Sequence, residues 1–179
     1  MREPTIARNY AEALFAVGER TGDTVAFGDL LEAVAGAIAA DERIRLMLEA
    51  PRTPKTQKQA LLGKALAGRA PESFIRFLGA VVKRGRQGLF GAISLEYLKL
   101  VDVKLNRVHA AVTLAREPDK ALVSEIRRRL SDLTGKDVVP HVRTDPRILG
   151  GLIVRMGDRV MDGSVRRRLL ALRRQMIGR

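Results

Sequence analysis

Two histidines, His109 and His141, are the side chains of this sequence best suited to acid–base chemistry or metal binding. Each falls in a segment of alternating polar and apolar residues, on the side expected to face solvent. The chain has no cysteine, and no cluster of carboxylates accompanies either histidine. A structural metal site typically needs about four ligands. We therefore expect two exposed strand residues and no metal, disulfide or thiolate site.

The glycine-containing segments lack the spacing that phosphate binding requires. Gly63-Lys64 has neither the earlier glycine nor the following serine or threonine of a phosphate-binding loop. Gly85, Gly88 and Gly91 follow a predicted helix rather than a strand, which argues against a dinucleotide site. No pair of carboxylates stands apart from the solvated charges. The sequence therefore predicts no catalytic residue and no cofactor.

The chain carries a net charge of +13, and most of the excess lies after residue 105. Residues 106–179 contain 17 basic and 8 acidic side chains, whereas residues 1–105 contain 16 and 12. Such an excess indicates an acidic protein partner, a nucleic acid or an anionic membrane surface. Arginines that could contact phosphates form short runs at 127–129, 166–168 and 173–174.

A nucleic acid is the less favoured of these partners. Residues 106–179 contain no Phe, Tyr or Trp on which bases could stack. In the last predicted helix the apolar residues share one stripe, which leaves the arginines on the remaining solvated faces. That stripe consists of Val165, Leu169, Leu172 and Met176. A basic nucleic-acid-binding protein remains the alternative to a protein that binds another protein.

The composition is that of a globular protein, with 46% apolar and 30% charged residues. No apolar run reaches about 18 residues, so no membrane-spanning helix is expected. The first fifteen residues lack the apolar core and cleavage site of a secretory signal. The length allows one domain or two small ones.

Residues 1–105 predict an N-terminal all-α bundle of six short helices. Asp41 is expected to cap the third helix, and Thr53 the fourth, with Pro54 in its first turn. Pro71 is expected to open the fifth. Few strand signals occur in this part of the chain.

Residues 106–179 predict a small α+β C-terminal domain. Residues 107–114 and 138–143 are predicted strands, with a helix between them that ends at Gly135. The stretch 148–172, ILGGLIVRMGDRVMDGSVRRRLLAL, then predicts a glycine turn, a hairpin and an arginine-rich helix. Asp162 or Ser164 is the expected cap of that helix.

Two of the predicted helices are apolar in nearly every direction. Between Tyr10 and Val17 only Glu12 is charged, and between Phe74 and Val82 only Arg76 is. A helix of this kind is buried on more than one side. Either both helices are central in the bundle, or one face is left for the amphipathic helix of a partner. The pattern alone does not separate these two possibilities.

Three segments, in order along nearly the whole chain, carry a family resemblance. ARNYAEALF at 7–15 looks like an opening signature, and FIRFLGAVVKRGR at 74–86 is similar to a middle segment. The most specific segment is the last one, which contains Asp145-Pro146, ILGG at 148–151, Gly157-Asp158 and DGS at 162–164. The family they resemble is the delta subunit of the bacterial F-type ATP synthase, the counterpart of the mitochondrial oligomycin-sensitivity-conferring protein.

This resemblance implies a non-catalytic stator component of a proton-translocating ATP synthase. The subunit would link the alpha/beta catalytic head to the b subunits of the peripheral stalk and resist rotor torque during ATP synthesis. The helical domain would receive an N-terminal helix of the alpha subunit in a groove between its first and fifth helices, and the C-terminal domain would bind b. The groove residues expected from the resemblance are Tyr10, Ala13, Leu14, Phe74, Phe77, Leu78 and Val81.

The resemblance also implies a structural motif in the stalk-binding domain, formed by Gly150, Gly151, Gly157, Asp158, Asp162 and Ser164. It implies one copy per complex, no nucleic-acid partner and a peripheral location at the cytoplasmic face of the bacterial cell membrane, held there through the complex. The arginine density of the last helix is unusual by comparison with the family. It suggests that the stalk partner, or the nearby membrane, is more acidic than usual.

Overall fold

The computed structural model describes residues 3–177 and divides into two compact units, Met1–Val101 and Asp102–Arg179. The sequence placed the division a few residues later, between 105 and 106. Helical periodicity continues to Lys104, so the pattern changes only where the last helix of the N-terminal part ends.

The first unit is helical. Its helices are α1 (Glu3–Thr21), α2 (Thr24–Ala40), α3 (Glu42–Glu49), α4 (Lys55–Leu66), α5 (Glu72–Lys83) and α6 (Phe90–Lys104). A single 3-10 turn, Gln87–Leu89, precedes α6. All six helices contribute apolar side chains to one core. Two aromatic rings of this core meet, with the centroids of Phe27 and Phe74 5.6 Å apart.

The cap residue predicted from the sequence is correct for α3 and wrong for α4. The Asp41 carboxylate accepts a hydrogen bond from the backbone N–H of Arg43, as a helix cap does. At α4 the cap position is Pro54, and Thr53 contributes no side-chain cap. The Thr53 N–H instead donates to the carbonyl of Ala50, which holds Thr53 in the turn after α3. The Pro54 carbonyl then accepts the first helical hydrogen bonds, so the helix begins one residue later than expected.

The buried hydroxyl of Tyr97 ties α6 to the beginning of α2. It donates a 2.9 Å hydrogen bond to the carbonyl oxygen of Thr24, and the Tyr97 side chain is fully buried. Burial raises the pKa of Tyr97 well above its ordinary value, so the hydroxyl stays protonated and remains a donor.

Tyr97→Phe is expected to lower the free energy of unfolding of the first unit by about 0.5–1.5 kcal/mol, because one buried hydrogen bond is lost while the ring packing is kept. Tyr10→Phe is the matched control, since the partly buried Tyr10 has no hydroxyl hydrogen bond to the described part of the chain. Its change should stay within about 0.5 kcal/mol. Urea unfolding followed by circular dichroism measures both. Equal changes would show that the bond to Thr24 contributes nothing to stability.

The second unit contains a four-stranded mixed sheet. Its elements are β1 (Arg107–Leu114), α7 (Lys120–Thr134), β2 (Asp137–Thr144), β3 (Leu152–Met156), β4 (Arg159–Asp162) and α8 (Val165–Ile177). The strand order is β2-β1-β3-β4. β1 and β2 are parallel and joined through α7, whereas β1–β3 and β3–β4 are antiparallel. The expected combination of a helical N-terminal region and a small C-terminal domain that contains both helices and strands is confirmed.

The inner face of this sheet packs against α7. Alternate residues of β1 meet the apolar stripe of α7 there, and one residue each of β2 and β3 completes the core. The buried residues are Ala110, Val112, Leu114, Ile126, Leu130, Val138 and Val154. Gly135 ends α7 in the left-handed conformation, with φ at 66°, as the sequence predicted. Across the described residues, no helix is long and apolar enough to cross a membrane.

Candidate functional site

An open groove of about 570 Å³ lies between α1 and α5. Four residues of α1 line it, Ile6, Asn9, Tyr10 and Ala13, together with Phe77 and Ala80 of α5 and with Arg84 and Arg86 beyond the helix. Ile6, Tyr10 and Ala13 are spaced by four and three residues, which puts them on one face of α1. The rings of Tyr10 and Phe77 meet edge to face, with centroids 6.3 Å apart and planes at 73°. This contact joins the two walls of the groove.

The end of α5 gives the groove a basic rim. Gly85 takes a φ of 68°, and the N–H groups of Gly85 and Arg86 donate back to the carbonyls of Val82 and Val81. The chain thereby reverses so that Arg84 and Arg86 both lie at the groove. Both are exposed, and neither forms an ion pair with another described residue. The groove can therefore hold an apolar helix face that carries a carboxylate at one end.

The residues expected at this groove fall into two layers. Tyr10, Ala13 and Phe77 line the groove itself. Four others are fully buried in the core of the helical unit, directly beneath the helices that form the groove: Leu14, Phe74, Leu78 and Val81. The second group shapes the groove by fixing α1 and α5 and offers no surface to a partner.

Sequence reasoning missed Ile6, Asn9, Ala80, Arg84 and Arg86. A usable signal existed for two of them. Ile6 precedes Tyr10 by one helical turn, and Arg84 follows Ala80 by one turn. Arg86 depends on the reversal at Gly85, which a periodic pattern does not reveal.

The C-terminal glycine motif connects the hairpin to α8. The φ of Gly151 is 73°, and the Gly163 N–H donates to the Leu152 carbonyl at 2.9 Å. Ser164 is buried and its hydroxyl accepts from the N–H of Arg167, which makes it the cap of α8. The Ser164 N–H in turn donates to Asp162, and hydrogen bonding from Ser164 lowers the pKa of that carboxyl. Gly157 and Asp158 form the hairpin turn, as predicted.

A similar short-range pair fixes the turn before the motif. The side chain of Asp145 accepts from the backbone N–H and the guanidinium of Arg147, and these bonds lower the pKa of Asp145. Leu149 follows with a φ of 65°, unusual for a residue that is not glycine, and its side chain is exposed. Gly150 packs closely on α8, since a Cβ there would lie 3.0 Å from Val165.

The two histidines lie side by side on the outer face of the sheet. Both are exposed, as expected, but the parallel pairing of β1 and β2 stacks their rings with centroids 5.0 Å apart. His109 Nδ1 and His141 Nε2 are within hydrogen-bond distance at 2.7 Å, and His109 Nε2 is 3.1 Å from the carboxylate of Asp102. Within residues 3–177, no group of three or more His, Asp or Glu side chains is arranged to hold a metal ion.

The family model and the relatives that match this chain agree on one family. The model of the ATP synthase delta (OSCP) subunit family matches residues 6–176. The ATP synthase subunit delta of Gemmatimonas aurantiaca is 49% identical over 174 residues, which covers 97% of this chain and 94% of that protein. The subunit delta of Desulforamulus reducens is 30% identical over 179 residues, or 100% of this chain and 99% of that protein.

A solved structure shares the fold. A chain in the cryo-EM structure of the Toxoplasma gondii mitochondrial ATP synthase hexamer superposes with a TM-score of 0.64 at 21% identity. The match covers 96% of this chain and 97% of that chain. Both the helical region and the mixed sheet therefore occur together in a known protein.

Proposed function

This chain belongs to the ATP synthase delta (OSCP) subunit family, and on that basis we propose how its two units act. It is a peripheral-stalk stator subunit of an F-type ATP synthase. Its work is structural: it holds the catalytic head against the torque of the rotor and carries out no reaction of its own. The alternative of a nucleic-acid-binding protein has no support in the family or in the relatives.

The helical unit binds an N-terminal helix of the alpha subunit in the groove between α1 and α5. The observation that carries this assignment is the groove itself, an open channel between two helices along which the partly buried rings of Tyr10 and Phe77 and the exposed methyl group of Ala13 lie. Helix-in-groove recognition uses an apolar stripe with anchors three or four residues apart. The spacing of Ile6, Tyr10 and Ala13 matches such a stripe.

The basic rim gives this interaction a direction. Because Arg84 and Arg86 lie at one end of the groove, a helix that carries an acidic residue at the corresponding end is favoured over the reversed helix. Exposed charges of this kind contribute more to orientation than to affinity. The apolar anchors supply most of the binding energy.

Ala13→Glu is expected to weaken binding of a peptide from the alpha-subunit N-terminus by more than roughly tenfold, because it fills the groove and repels the acidic helix that the arginines select. Ala16→Glu is the matched control: it makes the same change on the same helix at an exposed position that does not line the groove. Its affinity should stay within about threefold of the wild type. Isothermal titration calorimetry with the full chain measures both, and equal losses would remove the assignment.

The C-terminal unit binds the b subunits of the peripheral stalk. Its excess of basic side chains and its exposed α8 support this part of the proposal. One copy per complex then connects the head to the stalk, at the cytoplasmic face of the membrane and through the complex alone.

A further inference from the structure

Two side chains of α4 donate hydrogen bonds to backbone carbonyls of α5. The Gln59 amide donates to the Gly79 carbonyl at 2.7 Å, and the Lys55 ammonium donates to the Lys83 carbonyl at 2.9 Å. The two donors are four residues apart, and so are the two acceptors, in the opposite direction along the chain. The bonds are therefore successive rungs between antiparallel helices, about 6 Å apart along the axis. Together they fix α5 against α4 in one register.

Both carbonyls can accept these bonds without a loss to the helix. Lys83 is the last residue of α5, and a helix leaves its last four carbonyls without an N–H partner. The Lys55 ammonium also lies at the negative end of the helix dipole, where a cation is stabilising. The Gly79 carbonyl lies inside the helix, but a carbonyl oxygen has a second lone pair. The rungs therefore add to the helical hydrogen bonds instead of competing with them.

The face of α5 that meets α4 differs from the face that lines the groove. Gly79 faces α4, since a Cβ on it would lie 3.5 Å from Gln59 Nε2. With about 100° between successive residues, Ala80 lies about 100° and Phe77 about 160° around the helix axis from Gly79. Ala80 and Phe77 line the groove, and the two donors of α4 do not. A rotation of α5 relative to α4 would therefore move the groove wall.

The rung at Lys83 also holds the beginning of the basic rim. Arg84 follows it directly, and the reversal at Gly85 brings Arg86 to the groove. Apolar packing between helices is non-directional, whereas hydrogen bonds are directional, so two of them a turn apart resist both sliding and rotation. A binding surface that is already held in its bound arrangement loses less conformational freedom on binding and binds more tightly.

We infer that Gln59 and Lys55 are positioning residues of the groove. They hold α5 so that Phe77 and the basic rim meet the incoming helix, and they do not contact that helix themselves. This inference rests on the proposed function, in which the groove binds an alpha-subunit helix. It adds two residues outside the groove on which the binding depends.

The test removes both donors in the full chain. Gln59→Met and Lys55→Met keep straight side chains that suit a helix. Together they are expected to weaken binding of the alpha-subunit N-terminal peptide by roughly fivefold or more in isothermal titration calorimetry. Gln57→Met with Lys64→Met is the matched control, because it makes the same two changes at exposed positions of α4 that do not line the groove. Its affinity should stay within about twofold of the wild type.

A double-mutant cycle with Phe77→Ala separates positioning from a general loss of structure. Gln59→Met alone is expected to weaken peptide binding by about threefold, but by less than about 1.5-fold in the Phe77→Ala background, because the ring that it positions is then absent. Losses that simply add would show that Gln59 does not act through the groove wall, and would overturn the inference. Circular dichroism identifies a temperature at which every variant is folded, and the titrations are made there.

The outcomes separate the inference from the proposed function. If the peptide binds the wild type and the variant without either donor equally well, the inference fails while the proposed function stands. If the peptide does not bind the wild type, the proposed function fails, and the inference with it. An equal loss in the control variant would also overturn the inference, since the loss would then come from the changed surface of α4 and not from the rungs.

Discussion

Gly151→Ala will destabilise the C-terminal unit by about 2–5 kcal/mol. Gly151 has a φ of 73°, and a Cβ at this position would lie 2.4 Å from the carbonyl oxygen of Gly163. A left-handed L-residue costs about 1–2 kcal/mol, and overpacking a tight contact costs about 1–3 kcal/mol more. The Gly163 backbone cannot withdraw freely, since its N–H donates to the Leu152 carbonyl. The methyl group therefore strains the backbone bond that joins β3 to the start of α8.

Gly157→Ala is the control that separates backbone conformation from collision. Gly157 also has a positive φ, of 54°, but a Cβ there would meet no described atom within 4 Å. It should cost only the conformational part, about 1–2 kcal/mol. Hydrogen exchange resolved by peptide reports the C-terminal unit directly, and peptides from α1 to α5 serve as the internal reference. Equal losses of protection in the two variants would show that the approach to Gly163 is not limiting.

The sequence predicts the ends of helices and strands where they depend only on residues close to them in the chain. Asp41, Gly135 and the Gly157-Asp158 turn each act through backbone hydrogen bonds or dihedrals within a few residues, so the residue type alone predicts the outcome. Thr53 shows where this reasoning fails. The turn that follows α3 extends to Thr53, whose N–H donates to the Ala50 carbonyl, and the cap position of α4 falls on Pro54 instead.

The sequence pattern does not show which apolar residues of a helix pack in the core and which are left on its surface for a partner. On α5, Phe74 and Phe77 lie about 60° apart around the helix axis, and both belong to one apolar band. Only the packing of the surrounding helices decides that Phe74 is buried and that Phe77 lines a groove. The same holds for α8, whose stripe has the spacing of a core-facing helix and yet is exposed.

The alternation of polar and apolar residues also does not predict which side chains touch between neighbouring strands. Alternation predicted that His109 and His141 face solvent, but not that they touch. Their contact requires β1 and β2 to be parallel neighbours with Ala111 opposite His141, a register set by the α7 crossover and by the packing of the inner face.

Phe74→Ala is expected to lower the free energy of unfolding of the helical unit by about 3–5 kcal/mol, the range for a large aromatic residue truncated in a closed core. Phe74 is fully buried, and its ring packs against Phe27. Its neighbours belong to the same closed core, so we expect most of the vacated volume to remain as a cavity. Thermal unfolding of the variant and the wild type measures the loss.

Phe77→Ala gives the opposite combination of effects. The Phe77 ring is only partly buried and meets Tyr10 at the groove, so its truncation should cost less than about 1.5 kcal/mol of stability. The same change should weaken binding of the alpha-subunit peptide by more than roughly tenfold, because it removes an anchor of the groove. At a temperature where both variants are folded, Phe74→Ala should keep the affinity within about threefold. If Phe77→Ala instead destabilises the unit as much as Phe74→Ala and leaves affinity unchanged, both rings are core residues, and the alpha helix binds elsewhere on the bundle.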